Sequence, residues 1–355
     1  MKLKSRWGAG LLIALVTLVA AGSATAKLAT SAGSIKVCAL LPDTKSSTRY
    51  TLYDKPYLTN AFKAAHVPAQ VLNAQGSATR QKSQAEGCLA KGAKVLLLDY
   101  WDPAAGKAIT NEAKAKGAKV IDYDRLIVHG GASLYVSFNN PRVGVLMATR
   151  GVVAGLKANG KYSKHPVIAE LNGGITDNNA HLFKKGYDSI LKPLYRNGTF
   201  KLATAGDQWT DWDPIKGRTI FDQMLTRNGN KIDAVIAAND GLAGAVIASL
   251  QAHGLKALPL TGQDATPTGV QYILAGWQSG TVYKSNKLEA NTAAAAAIAL
   301  IKHKKVQGIN GKVSGTKSIL LKPLWITKKN YKFLFKDGAL KKSQVCTGQY
   351  AKYCT

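Results

Sequence analysis

Three carboxylates and two indoles fall within the seven residues Asp207-Gln-Trp-Thr-Asp-Trp-Asp213. Carboxylates this close can cleave a glycoside, ligate a metal, cap a helix, or flank an aromatic platform for a flat polyhydroxylated ligand. Glycoside cleavage needs two carboxyl groups facing one bond, and Asp207, Asp211 and Asp213 share a single loop. Other signatures of catalysis are missing. There is no G-x-S-x-G elbow and no H-E-x-x-H. The six His are scattered, with only His129 near the strand ends described below. Ser189-Ile-Leu-Lys192 matches S-x-x-K, yet it lies in a helical stretch without its companion motifs. Gly308–Ser318 is rich in Gly and Lys but lacks the Gly-Lys-Ser/Thr step of a phosphate-binding loop. No C-x-x-C pair exists, so zinc and thioredoxin-type chemistry have no support. These residues point to binding, without metal or cofactor, and away from an enzyme.

The elements that must position them alternate along the chain. Short β-branched runs predict strands at Ile35–Leu41, Gln70–Asn73, Val95–Asp99, Val120–Tyr123 and Tyr135–Phe138, then Val167–Leu171, Lys201–Ala205, Ala234–Ala237, Ala257–Thr261 and Thr281–Tyr283. Helical stretches separate them, among them Ala78–Lys91, Ala104–Lys116, Asn179–Leu191 and Leu242–Ala252. Several end at a glycine, Gly92, Gly117, Gly198 or Gly254, where a left-handed capping residue is wanted. Helices between strands imply parallel sheets. Roughly ten strands exceed the usual size of one sheet. The fold class expected is therefore α/β, with two doubly wound parallel-sheet lobes joined by a multi-strand hinge. Crossovers are expected near Asn139-Asn140-Pro141, Lys284-Ser285 and Lys322-Pro323. They assign residues 27–140 plus about 286–322 to an N-terminal lobe, and 141–285 plus about 323–355 to a C-terminal lobe.

Open α/β sheets bind ligands at the carboxyl ends of their strands. Those ends carry Arg49-Tyr50, Asp99-Tyr100-Trp101, Asp124-Arg125, Asp177-Asn178-Asn179, Asp207-Gln208-Trp209, Asn239-Asp240, Gly262-Gln263-Asp264 and Tyr283-Lys284. Each has a plain structural explanation: Asp177, Asp213 and Asp240 can cap helices, Trp209 and Trp212 can pack in a core, and Asp124-Arg125 can be a structural ion pair. Capping does not explain Arg49, Arg125, Lys284 and the Asn side chains, which have no such role at a helix N-terminus. Together the set suits a sugar. Vicinal hydroxyls both donate and accept, so Asp, Asn and a planar Arg fork match them in pairs. An aromatic ring covers the apolar C–H face of a pyranose.

The chain carries 48 Lys and Arg against 20 Asp and Glu. A positive n-region with Lys2, Lys4 and Arg6, an apolar run from about Leu11 to Ala21 and the small-x-small step Ala24-Thr25-Ala26 predict a signal peptide over residues 1–26. The mature chain then keeps a net charge of +25 and is expected outside the cytoplasm. That balance favours contact with an anionic cell envelope. Its densest stretch, Lys302–Lys342, holds twelve Lys against the single Asp337. Few aromatics are interleaved there, which argues against nucleic acid. Four cysteines in an exported chain predict two disulfides. Of the three possible pairings, Cys38 with Cys88 and Cys346 with Cys354 are expected, because the first two are neighbours in a βαβ layout and the last two close a small loop.

At Tyr123-Asp124-Arg125, Val136-Ser137-Phe138, Asp177-Asn178-Asn179-Ala180, Asp207-Gln208-Trp209, Asn228–Val235, Asn239-Asp240, Gly262-Gln263-Asp264-Ala265, Thr281-Val282-Tyr283-Lys284 and Asn291-Thr292-Ala293 the chain resembles the periplasmic sugar-binding proteins of ABC importers, their xylose-binding branch most. The resemblance runs from about Ile35 to Lys305. It implies a type I periplasmic binding fold in which a monosaccharide, xylose or a similar aldose, lies between two closing lobes and is delivered to an ABC permease by a monomeric receptor. A sensing role for chemotaxis or a sensor kinase is the alternative, and a secreted carbohydrate-active enzyme a more remote one. By the same resemblance Arg49, Asp124, Arg125, Asn179, Asn239, Asp264 and Lys284 are polar ligand contacts. Trp209 matches one of two aromatics that sandwich the ring, and Tyr50 stands where the other is usually Trp. The Asp99-Tyr100-Trp101 end, the cysteines and the Lys-rich C-terminal region depart from the pattern.

Overall fold

The computed structural model describes residues 34–354. The expected signal peptide lies outside the described residues. The chain begins with β1 (Val37–Leu41), a π-helical turn at Tyr50–Asp54 and α1 (Lys55–Ala64). It continues through β2 (Ala69–Asn73), α2 (Ala78–Ala90), β3 (Val95–Leu98), α3 (Pro103–Ala115), β4 (Lys119–Tyr123) and β5 (Leu134–Phe138). Then follow α4 (Asn140–Leu146), a second π-helical turn at Met147–Val153, α5 (Ala154–Ala158), β6 (Val167–Asn172), α6 (Asn178–Arg196), β7 (Lys201–Trp209) and α7 (Pro214–Arg227). Next are β8 (Ala234–Ala237), α8 (Asp240–Ala252), α9 (Pro267–Ala275), β9 (Thr281–Tyr283) and α10 (Asn286–Ile301). Beyond these lie β10 (Gly311–Val313), β11 (Thr316–Leu321), β12 (Leu324–Ile326), α11 (Lys332–Lys336) and α12 (Lys342–Val345).

Two parallel sheets organise the elements, giving the expected α/β class. The larger runs β10-β11-β5-β4-β3-β1-β2 and is parallel except for the β10–β11 hairpin. The smaller runs β7-β6-β8, all parallel. β9 and β12 form a separate antiparallel ribbon. Strand β1 shows why the larger sheet is buried on both faces. Val37, Ala39 and Leu41 join the cluster under α1 and α10, whereas Cys38 and Leu40 join the one under α2 and α3. With both faces covered, a strand must be apolar throughout, not alternating. The alanine-rich stretch noted in the sequence is α10. Ala290, Ala293, Ala294, Ala296 and Ala297 press against the sheet, and small side chains permit that close seat. Among the described residues no helix is long and apolar enough to cross a membrane.

Both disulfides form as expected, Cys38–Cys88 tying β1 to α2 and Cys346–Cys354 closing the short C-terminal loop. A cross-link spanning 50 residues removes about 4 kcal/mol of chain entropy from the unfolded state. Two strand assignments need correction. Ala257–Thr261 is not a strand: only Leu260 bridges to Val235, since Pro259 has no N–H to donate. Conversely, β10, β11 and β12 were not expected, because short Lys-bearing segments lack the apolar run that signals a buried strand. The helix-capping glycines Gly92, Gly117, Gly198 and Gly254 all take the left-handed conformation, with φ of 89°, 74°, 75° and 65°.

One helix crossing sets the geometry of the site. Where α4 passes α6, a Cβ on Gly144 would lie 1.9 Å from the Phe183 carbonyl oxygen, and one on Gly186 would lie 2.1 Å from that of Pro141. Only glycine lets the backbones meet there. The crossing fixes the N-terminus of α6, and with it Asp177 and Asn179, against the segment that follows β5.

Candidate ligand-binding site

The ends of β4, β8 and β9, the loop after β1, the N-terminus of α6 and the turn after β7 surround one cavity of about 330 Å³. Its wall contains eight of the nine residues expected from sequence: Arg49, Tyr50, Asp124, Arg125, Asn179, Asn239, Asp264 and Lys284. Trp209 is not among them. The indole in the wall is Trp212, whereas Trp209 ends β7 with its ring centroid 4.6 Å from that of His181. Trp212 thus stands in the wall where Trp209 was expected. The physical reason is a turn: Asp211 and Trp212 both adopt positive φ, 55° and 60°, which folds Trp212 back across the end of β6. There Gly173 makes room for it, because a Cβ would lie 2.2 Å from the indole.

The remaining acids of this segment have other duties. Asp207 accepts from Asn172 at 2.6 Å and pairs with Lys184 at 2.9 Å. Asp211 pairs with Lys216, and Asp213 caps α7 through the Ile215 and Lys216 N–H groups. Asp177 caps α6, accepting from the Asn179 N–H, while its other oxygen accepts from the Trp212 Nε1–H at 3.2 Å and lies 3.4 Å from Arg125 Nε. Asp240 is not a cap, contrary to one reading of the sequence. Asn239 caps α8, so the expectation that the Asn side chains have no capping role is corrected, Asn being a favoured N-cap. The Asp240 carboxylate accepts from Thr266 and Gln278, bracing the loop that carries Asp264.

The charged groups form a buried network around the cavity. Arg49 grips Asp54 through two hydrogen bonds of 2.8 Å and Glu289 through one of 2.6 Å, leaving Nη1 3.2 Å from Asp124 without a hydrogen-bond partner. Arg125 donates to the Tyr100 carbonyl, Ser46 and Tyr50. Its Nε makes no hydrogen bond but lies in ion-pair range of Asp177 at 3.4 Å and of the buried Asp99 carboxylate at 3.6 Å. Lys284 Nζ sits 3.5 Å from Asp124 Oδ1 and over the faces of Phe183 and Phe138. Burial alone would push the Asp124 carboxyl up, but Lys284, Arg49 and Arg125 outweigh it and hold Asp124 below the usual carboxylate range. Burial does win at Asp264, raising it against the pull of Lys284 and Arg49. Both guanidinium groups line the cavity, and each keeps one N–H held by neighbouring carboxylates without a hydrogen bond.

Asn179 differs from the other polar residues. Its Oδ1 accepts from Asn140 and Tyr135 and its Nδ2 donates to the Asp124 carbonyl, so most of its capacity holds β4 to α6. The sequence also left Ser46, Ser47, Phe183 and Gln263 unassigned, though all line the cavity. Phe183 was discoverable: it lies four residues after Asn179, on the same helical face. Ser46 and Ser47 carry no periodic signal.

Among the described residues no group of three or more His, Cys, Asp or Glu could hold a metal. The cavity is thus a ring of opposite charges closed at its sides by Tyr50, Trp212 and Phe183. Comparison with known proteins accords with that geometry. A family profile described as periplasmic binding protein domain matches residues 38–305. The D-xylose-binding periplasmic protein of Escherichia coli (strain K12) is 37% identical over 291 residues, covering 80% of this chain and 85% of that protein. Its counterpart in Haemophilus influenzae is 36% identical over 294 residues. A carbohydrate transporter solute binding protein from Chloroflexus aurantiacus, solved with D-glucose, superposes with a TM-score of 0.79 at 27% identity, covering 87% of this chain and 98% of that chain. The chain belongs to the periplasmic binding protein domain family, as a two-lobed binding protein and not an enzyme.

Proposed function

We propose that this protein is an exported receptor that captures a monosaccharide, xylose or a similar aldose, between its lobes and delivers it to an ABC permease. The observation that carries the reading is the convergence of Arg49, Arg125, Lys284, Asp124, Asn239 and Asp264 on one small cavity beside the Trp212 indole. Each sugar hydroxyl can donate to a carboxylate and accept from a guanidinium at once. The ring's C–H face rests on Trp212, with Tyr50 and Phe183 completing the aromatic wall. The names of the E. coli and H. influenzae relatives favour xylose, and the glucose held by the C. aurantiacus neighbour favours the wider aldose class. Contacts that reach from the loops of one sheet to those of the other support closure as the signal: ligand binding would favour the closed form, which the permease then senses.

Titration calorimetry against xylose, arabinose, ribose, glucose and galactose tests this. The expected outcome is saturable one-to-one binding of at least one aldose, with xylose among the tightest. Absence of heat from every member of the panel overturns the proposal. Unchanged sugar chemistry after prolonged incubation is expected of a receptor.

A further inference from the structure

We infer that a second groove, remote from the sugar cavity, docks a linear phosphodiester polymer of the cell envelope. This groove is an open concavity lined by Arg142 on α4, Arg150 on the π-helical turn after it, Lys322 between β11 and β12 and Lys329 just after β12. All four are exposed. Among the described residues none of the four side chains is engaged in an ion pair. No carboxylate lines the groove. The four side chains thus form one patch of cations with no acidic residue among its lining.

The floor is built, not incidental. Trp325 lies half-buried between Gly151 and Gly280, where a Cβ would approach its ring to 3.2 and 2.5 Å. The indole is thus held by the helix that carries Arg150 on one side and by the loop before β9 on the other. Thr327 and Asn330 add hydrogen-bonding groups at one end. Two guanidinium forks with two ammonium groups match successive phosphodiesters, since Arg binds such oxygens in pairs and Lys binds them as a point charge.

The lining favours the occupant: four cations from two segments of the chain share one open concavity with no carboxylate, which suits a chain of phosphodiesters laid along it. The chain's charge, 48 basic against 20 acidic residues, supplies the attraction that brings a polyanion near. The groove gives that attraction a place. This inference rests on the export part of the proposed function and not on the identity of the sugar, because the groove and the sugar cavity share no residue.

The experiment titrates the protein with deacylated poly(glycerol phosphate), read by thermophoresis, at two salt concentrations. Binding is expected to weaken roughly 50-fold between about 50 and about 200 mM salt, as release of counterions from about four phosphate contacts requires. The triple variant Arg150→Glu, Lys322→Glu, Lys329→Glu should lose at least about tenfold in affinity. The control Lys91→Glu, Lys94→Glu, Lys119→Glu changes net charge equally on exposed lysines at the opposite ends of the larger sheet's strands, and should lose less than about twofold. Equal losses in both variants would mean diffuse charge and overturn the inference. Tighter binding of phosphatidylglycerol vesicles, or of an equally long poly(dT), would replace the polymer with a membrane or nucleic acid and overturn it too. Aldose calorimetry on the groove variant reports folding: sugar binding retained with polymer binding lost supports the groove. If no wild-type sugar binding exists, the melting temperature serves instead, and the two proposals fail separately.

Discussion

Which of two indoles three residues apart lines the cavity cannot be settled by residue type, and here the backbone decides it. Trp209 ends a strand with its ring tilted against His181, whereas Trp212 follows a left-handed residue and takes a left-handed φ itself. Its Nε1–H is anchored by Asp177, the carboxylate that also caps α6 and faces Arg125. Aromatic contact beyond simple burial contributes about 0.5–1.5 kcal/mol, so Trp212→Ala should weaken aldose binding by about tenfold or more. Trp209→Ala should leave affinity within about twofold. Calorimetry on both variants checks this, and the reverse order would return the platform to Trp209. That Arg49, Arg125 and Lys284 line the cavity was legible because none of them had a role as a cap. The indole was not, because nothing in the sequence shows that Asp211 and Trp212 turn back over the space left by Gly173.

The element scale shows the same division between composition and geometry. Strands buried on both faces, such as β1 and β3, announce themselves as unbroken apolar runs, and the four expected helices lie within a few residues of α2, α3, α6 and α8. Edge elements do not: β10 and β12 are three residues each and largely exposed or half-buried, so their pairing is decided by position. The α4–α6 crossing is equally invisible from periodicity, yet it depends on two single atoms. At Gly144 an added methyl would collide with the Phe183 backbone of the partner helix, which cannot move aside without shifting Asn179. Overpacking of this kind costs about 1–3 kcal/mol, and more against rigid backbone. Gly144→Ala is therefore expected to destabilise by about 3 kcal/mol and to weaken sugar binding as well. Gly87→Ala, in the middle of α2 with open space around it, is expected to stabilise by up to about 1 kcal/mol. Urea unfolding of the two variants distinguishes them, and a neutral Gly144→Ala would show that the helices can part.

Across the whole molecule, the two sheets meet through a few polar contacts around the cavity instead of a broad apolar seam. Arg125 faces Asp177, Lys284 faces Asp124, Ser47 donates to Asp264, and Asn179 donates to the Asp124 carbonyl. Tyr100 adds one at the rim, where its hydroxyl accepts from the Asn178 N–H at 3.3 Å and donates toward the Thr176 carbonyl at 3.4 Å. The neutral bonds among these are weak, about 0.5–1.5 kcal/mol net each. Weak contacts suit a receptor that must open again, because a closed state held too firmly would neither admit nor release its ligand. Tyr100→Phe removes one such contact and, since Tyr100 is absent from the cavity wall, leaves the ligand's own partners in place. Its expected effect is thus on closure alone: a larger ligand-free radius of gyration by small-angle scattering, a compact form restored by saturating aldose, and affinity reduced by about two- to tenfold. Stopped-flow tryptophan fluorescence should place that loss in a faster release rate. If release is unchanged and the ligand-free dimensions match those of the wild type, the rim hydroxyl has no part in holding the lobes together.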